Sequence, residues 1–178
     1  HANTLNNRAW AYSYIGRMGR AIRLVRDALG MRMRLGQFVA IAKSLNTLGR
    51  INVRNDQPLI GQRLCEMALR IFSDFELRRG RGMARVGLAE ALRRSSLSPY
   101  LYTSDRQEAL LNRAADLGTR AAGDFEGLSE PANYVEALIE TGCAYRDLAR
   151  VQGDAKTELN GNRDKSESYL RKATQYAH

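Results

Sequence analysis

The stretch LNTLGRINVRNDQPLIGQRLCEMAL, residues 45–69, decides the fold. Its apolar residues recur at spacings of three and four, the period of an amphipathic helix, on both sides of the turn signal Asn55-Asp56-Gln57-Pro58. Moved back by 40 positions, it falls on LNNRAWAYSYIGRMGRAIRLVRDAL, residues 5–29. Leu45 lands on Leu5, Asn46 on Asn6 and Gly49 on Ala9; Arg63, Leu64, Ala68 and Leu69 land on Arg23, Leu24, Ala28 and Leu29. Moved forward by the same 40, Leu48 meets Leu88, Gly49 meets Ala89 and Arg54 meets Arg94. Small residues recur where two helices must approach closely, and large apolar residues recur one turn away. One helical pair cannot cover its own apolar face, so copies of a pair must stack.

Outward from this core the chain of 178 residues reads as eight helices and no strand. The expected pairs are 2–15 with 17–33, 37–54 with 57–75, 77–94 with 104–122, and 130–151 with 164–177. Longer connections are expected inside the third and fourth pairs, at 95–103 and 153–163. Ser104 and Gln107 have capping-box spacing, and Ser129 precedes Glu130-Pro131 as an N-cap would. The fold class is therefore all-α, a superhelix of about four antiparallel pairs. It is expected to be a single domain over 1–178, with pairs near 1–36, 37–76, 77–123 and 129–178. The chain opens on His1, and its last helical pattern runs into His178, as in a piece of a larger protein.

The pattern resembles the tetratricopeptide repeat family. Leu5, Ala9, Tyr12, Ala21, Val25 and Ala28 carry the resemblance in the first unit. Leu45, Leu48, Gly49, Gly61, Cys65 and Ala68 carry it in the second, and Leu88 and Ala89 in the third, where Arg85 stands at a large apolar position. The fourth keeps Leu138, Gly142, Tyr145, Leu170 and Ala173. The period of 40 and the missing closing prolines resemble the longer-helix version found in arms of bacterial signalling ATPases and transcriptional regulators. The resemblance implies a non-catalytic module that holds a peptide or a partner helix in a concave groove lined by the first helix of each pair.

On that expectation the groove presents Asn6 and Trp10, with Asn3, Asn7 and Tyr14, from the first helix. The second repeat contributes Lys43, Asn46, Arg50 and Arg54, spaced three, four and four apart and so on one stripe, and the third contributes Glu90, Arg93 and Arg94. Asn can bind a peptide main chain through both its donor and its acceptor, Arg grips carboxylates through two parallel bonds, and Trp10 can anchor an apolar side chain. The expected partner is an acidic protein or peptide. Some family members hold a terminal carboxylate with a set of Lys, Asn and Arg; that set is incomplete here. The acids Glu136, Glu140 and Asp147 read as a solvated helical face. Tyr100 and Tyr102 are expected to fold back over the end of the third pair.

Charge leaves an alternative open. Residues 1–94 hold 18 basic against 6 acidic residues, within a net charge of +9. A basic half also suits nucleic acid, and Arg78-Arg79-Gly80-Arg81-Gly82 resembles a short basic binding segment, although it reads better as a turn with Gly82 allowing close packing. A small-ligand sensor is a third reading. Both histidines are terminal, so no internal His serves catalysis or a metal, and no cofactor is expected. Gly16-Arg17-Met18-Gly19 lacks the strand and the ending of a phosphate loop and reads as a turn. Cys65 and Cys143 lie within helical patterns as small buried hydrophobes, which fits a reducing, cytoplasmic setting. No run of about 18 apolar residues offers a membrane span.

Overall fold

The computed structural model describes residues 1–98, 101–153 and 156–177, with side chains of the final stretch from 161 onward. Eight helices form among them: α1 (Ala2–Tyr14), α2 (Met18–Arg34), α3 (Phe38–Arg54), α4 (Pro58–Asp74), α5 (Arg78–Ser96), α6 (Ser104–Phe125), α7 (Pro131–Gln152) and α8 (Lys156–Tyr176). No strand occurs among the described residues.

The repeat is set by its turns. Gly16, Gly36, Asp56 and Glu76 all take positive φ, at +77°, +62°, +55° and +51°. These positions lie 20 residues apart, half of the 40-residue sequence period. Each turn closes with the same bond: Arg17 N–H to Tyr12 O, Gln37 to Arg32, Gln57 to Asn52 and Leu77 to Phe72, at 2.9–3.1 Å. This is the long bond of a Schellman ending, which satisfies a carbonyl the helix leaves unpaired. The rhythm breaks after α5, which runs on to Ser96.

Each helix packs against its neighbours in sequence. In addition α1, α3, α5 and α7 touch one another in series, whereas α2, α4, α6 and α8 do not. A stack joined along one row and splayed along the other curves, with the joined row inside. The buried residues form a continuous series between the layers. Ala9, Val25 and Ile51 lie between α1, α2 and α3. Ala42, Leu45, Phe72 and Ala84 follow, then Cys65, Leu88, Leu92, Leu110 and Ala144. Val86, Phe125, Tyr134 and Leu138 close the series.

Several expectations are corrected. The polar segment assigned to a long connection at 153–163 is largely helix, because α8 begins at Lys156. Ser104 makes no capping box: Thr103 is the N-cap without a side-chain bond, and the Gln107 amide instead donates to Ser96 O at 2.8 Å. Glu130, not Ser129, precedes α7, with Pro131 in its first turn. The run Arg78–Gly82 is the first part of α5, not a turn, although its glycines do serve packing, since a Cβ on Gly82 would sit 2.7 Å from the Phe125 ring. Tyr102 packs against the Leu88–Leu92 cluster; Tyr100 lies outside the described residues.

The tightest approach joins α3 to α4. A Cβ on Gly61 would lie 2.8 Å from Gly49 O, and one on Gly49 would lie 2.7 Å from Cys65 Sγ. Gly61→Ala is therefore expected to lower unfolding free energy by about 1–3 kcal/mol through overpacking. Gly123 has no atom within 4 Å of an added Cβ, so Gly123→Ala should raise stability by about 0.5–1 kcal/mol. Urea unfolding of both variants checks this; equal effects at the two sites would contradict the packing assigned to Gly61.

Candidate functional site

The inner row carries two different surfaces. At the α1 end lies an open cleft of about 310 Å³ lined by Asn3, Asn6, Asn7, Trp10, Arg32, Lys43 and Thr47, with Arg79 and Met83 on its far wall. Deeper along the row the charges are already paired with one another.

Arg50 sits on α3 and is 7% exposed. Its guanidinium donates through both terminal nitrogens to the Glu136 carboxylate on α7, bond lengths including 3.0 Å at Nη1, and its Nε lies 3.6 Å from Glu90 on α5. To reach α7 the side chain crosses α5 over Gly87, where a Cβ would meet Arg50 Cγ at 2.9 Å and Asn46 Oδ1 at 3.0 Å. Burial opposes the charge, but Glu136 and then Glu90 outweigh it and hold the arginine pKa above its ordinary value. Arg93 repeats the arrangement one step on. Its Nε donates to Glu140 at 3.0 Å and its Nη1 to Asp147 at 3.2 Å. Asp147, 2% exposed, also accepts from Arg146 and Arg150. Burial pushes the Glu140 carboxyl above the usual range, against the pull of Arg93 and with help from Glu90.

These contacts correct the reading of α7 as a solvated face. Glu136, Glu140 and Asp147 face the trough and hold the Arg residues of α3 and α5. Arg85, anomalous by its repeat position, likewise has a partner in Asp124 on α6, which Arg81 approaches at 3.7 Å.

The expected groove residues therefore divide. Asn6 is buried, donates to Thr47 Oγ1 at 2.8 Å and leaves its Oδ1 without a partner in the cleft region. Trp10 is half-buried, with the Arg50 and Arg54 guanidinium carbons 5.0 and 4.8 Å from its ring centroid. Arg54 also lies 4.4 Å from the Tyr14 ring. Such cation–π contacts fix the ring's orientation. Lys43 is exposed at the cleft. Asn46 points elsewhere: it is buried against α4, where Cys65 Sγ lies 3.7 Å from its Oδ1. Arg50 and Arg93 are engaged internally.

Arg32 lines the cleft from the second helix of its pair, outside the row from which groove residues were expected. The sequence does carry a signal for it: Arg32 continues the buried stripe Ala21, Val25, Ala28, and its counterpart 40 residues on is Phe72. Cys65 is fully buried, and burial pushes its thiol up to about 12; Cys143 is half-buried, not sequestered as expected. Among the described residues no group of three His, Cys, Asp or Glu side chains is placed to hold a metal ion, and no helix is long and apolar enough to cross a membrane.

Two measurements check the paired charges. Arg50→Met strands Glu136, leaves the buried Glu90 only Arg94 at 3.5 Å, and should cost about 3–5 kcal/mol, and adding Glu90→Gln should recover part of that loss. A melt of Arg50→Met that overlays the parent's would show the charges to be solvated. For Glu140, a raised native pKa means that the folded state binds the proton more tightly than the unfolded state. Its contribution to stability is thus full below the ordinary Glu value and falls as pH rises through the raised one. Relative to Glu140→Gln, the parent should lose ground across that window in pH-dependent urea melts.

No protein-family model matches the chain, and no curated protein matches it. Among solved structures the chain is similar to the crystal structure of BtubC (BKLC) from P. vanneervenii, with TM-score 0.62 and 18% identity over 99% of this chain and 63% of that one. It is also similar to a Podosopora anserina putative kinesin light chain with nearly identical TPR-like repeats, with TM-score 0.53 and 14% identity over 99% of this chain and 96% of that one. The chain spans less than two thirds of the BtubC chain. Identities this low speak to the fold alone, and that fold is an all-α, TPR-like helical repeat.

Proposed function

We propose that the chain is a non-catalytic binding module that receives an extended peptide or a partner helix on its inner row, at the α1 end. The observation that carries this reading is the contrast along that row. Around Arg50 and Arg93 the charged groups are paired with one another, while around Trp10 polar side chains line an open cleft. Trp10 is held by two guanidinium groups, so an incoming apolar side chain meets an aromatic surface whose orientation is already fixed. Exposed Asn3, Asn7 and Lys43 supply main-chain and charge contacts beside it.

The acidic partner expected from sequence keeps its support at Lys43 and Arg54 and loses it at Arg50 and Arg93, whose charges Glu136, Glu140 and Asp147 neutralise. The same neutralisation weakens the nucleic-acid reading. The groups best suited to chemistry are committed elsewhere, with the Cys65 thiol buried and protonated and the α7 carboxylates bound to arginines. By analogy of fold, the module would serve as the docking or sensor arm of a larger cytoplasmic signalling ATPase or regulator.

Selection of peptides from a random displayed library on the intact chain tests the reading. Selected peptides should lose binding by about tenfold or more on Trp10→Ala, the worth of a modest aromatic anchor, and should bind Arg23→Glu on the outer helix α2 as they bind the parent. Peptides indifferent to Trp10 and sensitive to Arg23 would move the site to the outer face.

A further inference from the structure

The repeat loses its rhythm at one place, and a cavity forms there. α1 and α3 end at Tyr14 and Arg54, one period apart, so a third copy would end at Arg94; α5 runs on to Ser96. The extra residues and the connection behind them face the turn between α3 and α4 across a cavity of about 270 Å³. It shares no residue with the cleft at the α1 end. One side of it is apolar, formed by Leu59, Ile60, Leu101 and Tyr102. Leu59, Ile60 and Leu101 are 48–64% exposed, large apolar groups left to solvent. The repeat does not require them, since one period earlier Leu59 and Ile60 become Gly19 and Arg20.

The polar side is unfinished. Ser95 lines the cavity and is 3% exposed, yet its Oγ has no hydrogen-bond partner among the described residues. Most buried hydroxyls find one, and a bare one costs stability. The Leu59 and Ile60 N–H groups, in the first turn of α4, have no acceptor among the described residues either, and the N-cap Gln57 contributes no side-chain bond. That turn is part of the wall, so the positive end of the α4 dipole lies at the cavity. Arg94 also lines it, with its Nε 3.5 Å from Glu90, an acid it shares with Arg50. Asp56 completes the charges, and it does not pair with Arg94.

A plain carboxylic acid here would leave Asp56 opposing it. A plain amine would leave Arg94 and the α4 N-terminus opposing it. Donors, one carboxylate and an apolar wall around a single small cavity are the complement of a zwitterion with an apolar side chain. We propose that the cavity binds a free apolar α-amino acid, of the size of leucine or phenylalanine. Its carboxylate meets Arg94, the Ser95 hydroxyl and the first turn of α4; its ammonium meets Asp56; its side chain covers Leu59, Ile60 and Leu101. The volume lies just under the roughly 300–1,000 Å³ of pockets for drug-sized ligands, which suits a ligand this small. The site is separate from the peptide-binding reading and does not rest on it.

Titration calorimetry on the full chain tests this with L-leucine and L-phenylalanine. The comparison probes are N-acetylleucine, which lacks the ammonium, leucinamide, which lacks the carboxylate, and glycine, which lacks the side chain. At least one of the two amino acids should bind saturably, with a dissociation constant below about 1 mM, and each comparison probe should bind about tenfold more weakly or not at all. Ser95→Ala should weaken the amino acid by about tenfold and leave the unfolding midpoint unchanged or higher, because the hydroxyl it removes has no partner in the folded chain. Asp56→Asn, a residue that tolerates the positive φ of +55° there, and Arg94→Gln should each weaken it by a similar factor. Trp10→Ala, in the cleft, should leave it intact, so the cavity and the groove stand or fall separately. No saturable binding of either amino acid, leucinamide or N-acetylleucine binding as tightly as leucine, or full affinity retained in Ser95→Ala would overturn the proposal.

Discussion

Everything in this molecule depends on how closely α3 can lie against α4. At Gly49 and Gly61 the two backbones approach within the radius that any side chain would occupy. The helices are therefore nearly in contact along one line, and the large residues on either side of it, Val53, Cys65 and Leu64, close over the junction. Ala9 and Ala21 hold the matching places in the first pair and are fully buried. A pair clamped this way has one remaining apolar face, and the next pair must cover it. Curvature follows, because the first helices then meet their successors directly and the second helices do not.

The inner row inherits its chemistry from that geometry. Gly87 on α5 leaves the groove through which Arg50 reaches past one whole helix to Glu136. A side chain at position 87 would fill the space taken by the aliphatic stem of Arg50. The link between second and fourth pairs is thus as much a packing feature as an electrostatic one. It also limits what the trough can offer a visitor, since a guanidinium bound by a buried carboxylate is not available to another anion without a large penalty.

How much of this the sequence discloses follows from the range of each interaction. The turns and the close approaches are local or recur at a fixed period, so the shift by 40 exposes them through α5. The acids of α7 pair with arginines 47 to 86 positions earlier, and no periodicity connects Glu136 to Arg50 or Glu140 to Arg93. Their helical spacing looks the same on a wet face as on a charged trough. The start of α8 escapes for another reason: few apolar residues mark it, and it packs through Asn162, Ser166 and Ala173. Arg32 is the intermediate case. Its neighbours mark the position as buried and its repeat partner is aromatic, yet a reading confined to first helices has no place for it.

The lopsided charge of the chain takes on a meaning beyond solubility. The basic half and the acidic half are joined through Arg50 to Glu136, Arg93 to Glu140 and Asp147, Arg85 to Asp124 and Arg79 to Glu130. Each pair runs from α3 or α5 to α6, α7 or the turn before it. Opposite charges placed this way favour the stacking order seen over any in which basic layers adjoin. The first pair lies beyond the reach of these acids: α7 contacts α5, α6 and α8 but neither α1 nor α2. On the inner row, Arg32 and Lys43 at the α1 end are for that reason without an ion-pair partner among the described residues, unlike Arg50 and Arg93 deeper in the stack. An inner row left positively charged at one end by distance along the stack, with its deeper arginines held by the acids of α5 and α7, is the feature on which the proposed binding of a partner draws.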